Sequence, residues 1–195
     1  MSMRTAASPV ASCGVLRMSD ERLGSSLTRA MTILICYDGS QDADAAIDLA
    51  GELFAGKSTI VLTVWDGLVE VLTRAGSGFG VAALDFEQID AASEQAANEC
   101  AQAGADRARE AGLDPQARAA RRDATIWETI LGCAYDVDAA AIVLGSRGLT
   151  GVKSMLLGSV SHAVLQHADR AVLVVPGSDV AIERAGRQGR REAAP

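Results

Sequence analysis

The sequence predicts an α/β fold: a parallel sheet covered by helices on both faces. Two observations carry that prediction. Short apolar runs alternate along the chain with longer stretches of helical period, the pattern of successive βαβ units. Four of those runs, 33–36, 60–64, 139–144 and 171–175, are continuously apolar, as expected of strands buried on both faces.

The elements follow in order. Met31 opens an abrupt apolar strand, Thr32 to Tyr37, which ends at the turn signal Asp38-Gly39-Ser40. Ala43 to Phe54 reads as a helix, because Ala46, Ile47, Ala50, Leu53 and Phe54 recur at spacings of three and four and Gly56 stops it. Thr59 to Trp65 is the second strand. The segment 67–84, with Gly76, Gly78 and Gly80, fits no period. Asp85 to Ala111 is a long alanine-rich helix whose small residues permit close packing on a sheet. Pro115 to Arg121 is a weak third strand, polar and arginine-bearing (Arg118, Arg121, Arg122). Asp123 or Thr125 caps the next helix, which runs to Tyr135. Ala139 to Leu144 is the fourth strand, Ser159 to His167 the last helix, and Ala171 to Val175 the fifth strand, closed by Pro176.

Composition sets the class. Of 195 residues, 49% are hydrophobic and 22% charged, a balance that excludes a disordered or collagen-like chain. No run approaches the ~18 apolar residues of a membrane span, so no membrane role is expected. A net charge of −7 argues against nucleic acid as a partner. The ends are net basic (Arg4, Arg17, Arg22 and Arg29; Arg184, Arg187, Arg190 and Arg191), and the middle is acidic. The expected organisation is therefore a disordered extension over 1–30, one domain over 31–176 and a disordered basic tail over 177–195. Val10 to Cys13 looks like a lipoprotein cleavage box, but the short, polar stretch before it is no secretory core, and Met31 is an alternative start. Cys13, Cys36, Cys100 and Cys133 match no metal spacing; the last three read as small core residues of a reduced, cytoplasmic protein.

In an open α/β sheet, ligands bind beyond the carboxyl ends of the strands, where the strand order reverses. After strand four comes Gly145-Ser146-Arg147-Gly148, and Gly158-Ser159 opens the following helix. Gly145 and Gly148 leave backbone exposed there, and the helix N-terminus offers amides and partial positive charge to a phosphate. Ser159 and Ser161 add hydroxyl donors, with Arg147 and Lys153 the nearest cations. The spacing, G-x2-G-x9-G-S, is neither a Walker A loop nor the dinucleotide fingerprint. His162 and His167 lie off a shared ligand face and read as packed or solvated, and Trp65 and Trp127 read as core.

That motif, with Asp38-Gly39-Ser40 and the ending Val172 to Pro176, resembles the ATP-binding branch of the universal stress proteins over about 31–176. The resemblance implies a three-layer sandwich with a five-stranded parallel sheet in the order 3-2-1-4-5, of the adenine nucleotide alpha-hydrolase-like class. It also implies a site. Tyr37 and Asp38 would line the cleft, Asp38 reaching the ribose hydroxyls rather than merely making an Asx turn or capping the first helix. Val64 would face the adenine, and Leu144 and Gly145 would close the opposite side. Gly148, Gly158, Ser159 and Val160 would hold the phosphates of ATP, accompanied by Mg2+. Strand five would form a homodimer near 171–176.

Several functions follow as expectations. The first is an ATP-dependent switch or binding module in a stress response, acting on an unknown protein partner, with at most slow hydrolysis. An adenylylating or ATP-hydrolysing enzyme is the alternative; a phosphate loop after strand four rather than strand one counts against it. A third reading is a stress protein working through partners without nucleotide. A phosphorelay receiver fits poorly, since Pro176-Gly177 follows strand five where a lysine is needed.

Overall fold

The computed structural model describes residues 31–68, 71–72, 86–149, 157–178 and 181–182. Its centre is a parallel sheet of five strands: β1 (Thr32–Cys36), β2 (Ser58–Trp65), β3 (Asp114–Arg121), β4 (Ala139–Gly145) and β5 (Ala171–Val175). They lie in the order β3-β2-β1-β4-β5, so the order reverses between β1 and β4. The expected class and strand order are those observed.

Four helices cover the sheet: α1 (Gln41–Phe54), α2 (Phe86–Glu110), α3 (Ile126–Asp136) and α4 (Ser159–His167). Successive residues of a strand point to opposite faces, and this splits the core in two. Ile33, Ile35 and Val61 pack with Ala46, Ile47 and Ala50 of α1 and with Ala105 and Ala108 of α2. On the other face, Leu34, Leu62 and Leu144 pack with Ile130, Cys133 and Ala134 of α3 and Val164 of α4.

Several boundaries and environments differ from expectation. Helix α1 begins at Gln41, two residues early, because the Ser40 side chain accepts from the Ala43 amide at 3.3 Å and caps the first turn. Leu53, counted on its apolar face, is instead exposed. Thr125 is the cap of α3: its hydroxyl oxygen accepts from Glu128 N at 3.2 Å and donates to the Glu128 carboxylate at 2.6 Å. Neither tryptophan is fully buried, although Trp127 packs against the α3–α4 core. Trp65 is half-buried with the Arg121 guanidinium 5.6 Å above its ring, and Trp127 is half-buried and stacked on His167, centroids 4.5 Å apart. Both occupy the perimeter, where an aromatic can keep one face in contact with solvated groups.

Strand β3 is a polar edge of the sheet. It pairs with β2 alone, and its arginines reach carboxylates around it: Arg118 to Asp136 at 3.5 Å and Arg121 to Asp90 at 3.2 Å. Just beyond it, Arg122 pairs with Asp66 at 3.0 Å. Charged residues along a free edge oppose pairing with another chain. Residues 1–30, most of 67–84 and most of the tail lie outside the described residues.

Candidate functional site

The strand-order reversal opens a cavity of about 440 Å³ between the carboxyl ends of β1, β2 and β4 and the N-terminal ends of α3 and α4. Its inner wall is apolar, formed by Cys36, Leu62, Val64, Ile126, Ile130 and Leu144. Its rim is polar, formed by Asp38, the loop after β4 and the first turn of α4. The cavity thus lies mainly on the α3–α4 side of the sheet.

All nine residues expected at a site, Tyr37, Asp38, Val64, Leu144, Gly145, Gly148, Gly158, Ser159 and Val160, lie on this one wall. Their individual placements are more particular. The Tyr37 ring turns to the α1–α2 face, where its hydroxyl donates to Asp44 at 3.0 Å and its ring lies against Gly104. Burial, and then the bond to Asp44, push the Tyr37 phenol up to about 12. Its carbonyl accepts from the Thr63 hydroxyl at 2.9 Å.

Asp38 bridges two turns. One oxygen accepts from Ser40 N at 3.0 Å, an Asx turn that needs the positive φ of Gly39 (+78°) beside it. The other accepts from Leu149 N at 3.2 Å. A carboxylate oxygen has two lone pairs, so each keeps capacity for a further donor.

The two glycines after β4 serve different ends. Gly148 is exposed at the rim, and a Cβ there would stand 2.6 Å from the Asp38 carboxylate. Gly145 is buried instead of offering open backbone. A Cβ on it would meet the first turn of α1, 2.8 Å from Asp42 and 2.9 Å from Ala43 N. Its glycine serves the packing of α1 on β4.

At α4, Gly158 holds the N-cap position, and no side chain among the described residues caps the helix. The first amide that the helix itself satisfies is His162 N, donating to Gly158 O at 2.9 Å. The amides of Ser159, Val160 and Ser161 precede it at the positive end of the helix dipole, facing the rim. The Ser161 hydroxyl, expected among the anion donors, donates to Gly145 O at 2.7 Å and is spent inside the fold. Ser159 is exposed at the mouth. Arg147 lines the cavity and lies toward α1, its Nε 3.8 Å from Asp42; Lys153 falls outside the described residues.

Sequence reasoning missed two features. One is Cys36, read as core and found on the cavity wall; burial among its neighbours pushes its thiol up to about 12. Strict alternation from Leu34, which faces the α3–α4 core, would have placed it there. The other is Asp42, a buried carboxylate whose partners lie more than a hundred residues away.

A parallel, doubly wound α/β domain with its crevice at the reversal point is the architecture of a ligand-binding domain. The model of the universal stress protein family matches residues 30–176, so the chain belongs to that family. Universal stress protein YxiE of Bacillus subtilis is 30% identical over 146 residues, 73% of this chain and 97% of its own length. A universal stress protein of Thermus aquaticus, from the QAH/OAS sulfhydrylase 3' region, is 34% identical over 146 residues, 74% of this chain and 97% of that one. Among solved structures, a universal stress protein in complex with cAMP is 25% identical with a TM-score of 0.53, covering 76% of this chain and 98% of its own.

Proposed function

We propose that this universal stress protein binds ATP with Mg2+ in the β1–β4 cavity and works as a nucleotide-dependent switch or binding module in a stress response. The observation that carries the reading is one cavity joining an apolar chamber to a rim of backbone amides and glycines. An apolar slot suits a base, and helix-end amides beside bare glycine suit phosphate. The cAMP complex of a relative supports an adenine nucleotide here.

In this reading Val64 and Leu144 flank the adenine, with Tyr37 and Gly145 lining the cleft beside it. Asp38 accepts from the ribose hydroxyls with its remaining lone pairs while keeping its two turns. Gly148, Ser159 and Val160 receive the phosphates on their amides, beside Gly158, whose own amide is already held by Ser146 O. Mg2+ would accompany the phosphates and screen their charge. The protein acts in the cytoplasm as a homodimer through β5, toward a protein partner, and hydrolyses ATP slowly at most.

Titration calorimetry with ATP and Mg2+ tests this on wild type, Gly148→Val and Asp38→Ala. Saturable binding by wild type, lost in folded Gly148→Val and weakened in Asp38→Ala, is expected. A folded wild-type protein that binds no ATP overturns the reading.

A further inference from the structure

The Asp42 side chain does not line the cavity, yet it grips the loop that does. It sits on the first turn of α1 and is only 8% exposed. One oxygen, Oδ2, accepts from Ser146 Oγ at 2.7 Å and from Arg147 N at 3.0 Å, and Arg147 Nε stands 3.8 Å from it. The other, Oδ1, faces Gly177, just past β5, so closely that a Cβ on Gly177 would overlap it. Ser146 carries the grip onward. Its carbonyl accepts from Gly158 N at 2.7 Å, and its amide donates to Val175 O at 2.6 Å. One carboxylate therefore joins α1, both described ends of the glycine loop and the exit of β5.

We propose that Asp42 is the positioning residue of the anion side of the cavity, and that Gly177 is glycine to admit its carboxylate. The proposal rests on the nucleotide reading above. A glycine-bearing loop has many conformations, and ligand phosphates would otherwise have to order it on binding. Asp42 holds its two described ends in place in advance. It does so with buried hydrogen bonds, which water does not replace cheaply.

The geometry separates charge from hydrogen bonding. Both loop bonds converge on Oδ2, so Asp42→Asn keeps that acceptor while removing the charge and turning Oδ1 into an amide donor. Asp42→Ala removes both. Gly177→Ala pushes the carboxylate aside from a different part of the chain, without touching the cavity.

The test measures ATP and adenosine affinities for wild type and these three variants. It also follows exchange of the Arg147 amide by NMR in nucleotide-free protein. Circular dichroism checks folding; if Asp42→Ala does not fold, Asp42→Asn and Gly177→Ala carry the same comparison.

Asp42→Ala and Gly177→Ala are expected to lose roughly tenfold or more in ATP affinity with adenosine unchanged. Asp42→Asn is expected to stay within about threefold, as retained hydrogen bonds require. Arg147 exchange speeds up in the first two only. Wild-type ATP affinity in Asp42→Ala, or equal loss of ATP and adenosine, overturns the proposal. If wild type binds neither ligand, the nucleotide reading falls and exchange decides. Faster Arg147 exchange confined to Asp42→Ala and Gly177→Ala upholds the positioning role; equal exchange in all four proteins overturns it.

Discussion

Gly104 lies buried in the middle of α2, pressed against the sheet. A methyl group there would stand 2.7 and 2.8 Å from the Tyr37 ring and 2.9 Å from Cγ1 of Val61. Carbon atoms in contact prefer about 3.5–4.0 Å, so the helix or the ring must move by roughly 1 Å. Neither yields easily. The ring is held at its hydroxyl by Asp44 and at its base by the bond from Tyr37 N to Leu62 O, 2.8 Å. Val61 is fully buried on β2.

Two effects therefore compete in Gly104→Ala. Alanine favours the helix by about 1 kcal/mol over glycine, and overpacking costs about 1–3 kcal/mol. Two rigid neighbours put the cost in the upper part of that range, about 2–3 kcal/mol, so the second wins by about 1–2 kcal/mol. In a domain of this size each kcal/mol is worth about 2–4 °C, so Tm falls by roughly 2–8 °C. Gly132 in α3 is the control. It is exposed, and nothing lies within 4 Å of its added Cβ. Gly132→Ala keeps only the helix gain and raises Tm by roughly 1–4 °C. Thermal and urea unfolding at fixed protein concentration measure both, with an unchanged urea slope as the sign of an unaltered unfolded state. A Gly104→Ala protein melting at or above wild type, or a Gly132→Ala protein melting below it, refutes the packing argument.

Two further outcomes are expected. Cys36 is raised from 9.0 to about 12 and Tyr37 from 10.0 to about 12, so both hold their protons more firmly folded than unfolded. Their contribution is whole below pH 9 and is lost as the pH rises toward 12. The urea midpoint should fall steeply above pH 9, and less steeply in Cys36→Ala; parallel curves for the two proteins would reject the assignment. In the homodimer proposal, β5 is the joining edge, pairing within the chain with β4 alone. Ala171→Lys adds a charge at an exposed position of that edge and should shift the sedimenting species from dimer to monomer, with Tm at low concentration unchanged. A variant that stays dimeric would place the interface elsewhere.

The parts of the fold that could be read in advance are those governed by local pattern. Strands β1, β2, β4 and β5 announce themselves because a strand covered on both faces must be continuously apolar. Strand β3 reads weakly because arginines paired with Asp136 and Asp90 stand where the other strands carry apolar residues. The cavity wall follows from the motif after β4 and the resemblance it carries. What escaped depends on contacts distant in sequence. Asp42 looks like an ordinary acidic residue in a first helical turn, since nothing local reveals that Ser146, Arg147 and Gly177 converge on it. Gly145 looks like a ligand-facing glycine, and only the packed position of α1 shows otherwise. Ser161 looks like a free hydroxyl until its carbonyl partner is seen.

The carboxylates of Asp38 and Asp42 close contacts across sequence separations of 104 to 111 residues. Such closures are slow to find during folding, because the intervening chain must already be ordered before they are rewarded. The rim of the cavity thus depends on the same long-range closure that pairs β1 with β4. A chain emerging from synthesis holds no assembled rim until β4 and the residues beyond it have appeared. Ligand capture would therefore report completion of the whole domain, and a proteolytic fragment ending before β4 would retain Asp38 and Asp42 without their partners at Leu149, Ser146 and Arg147.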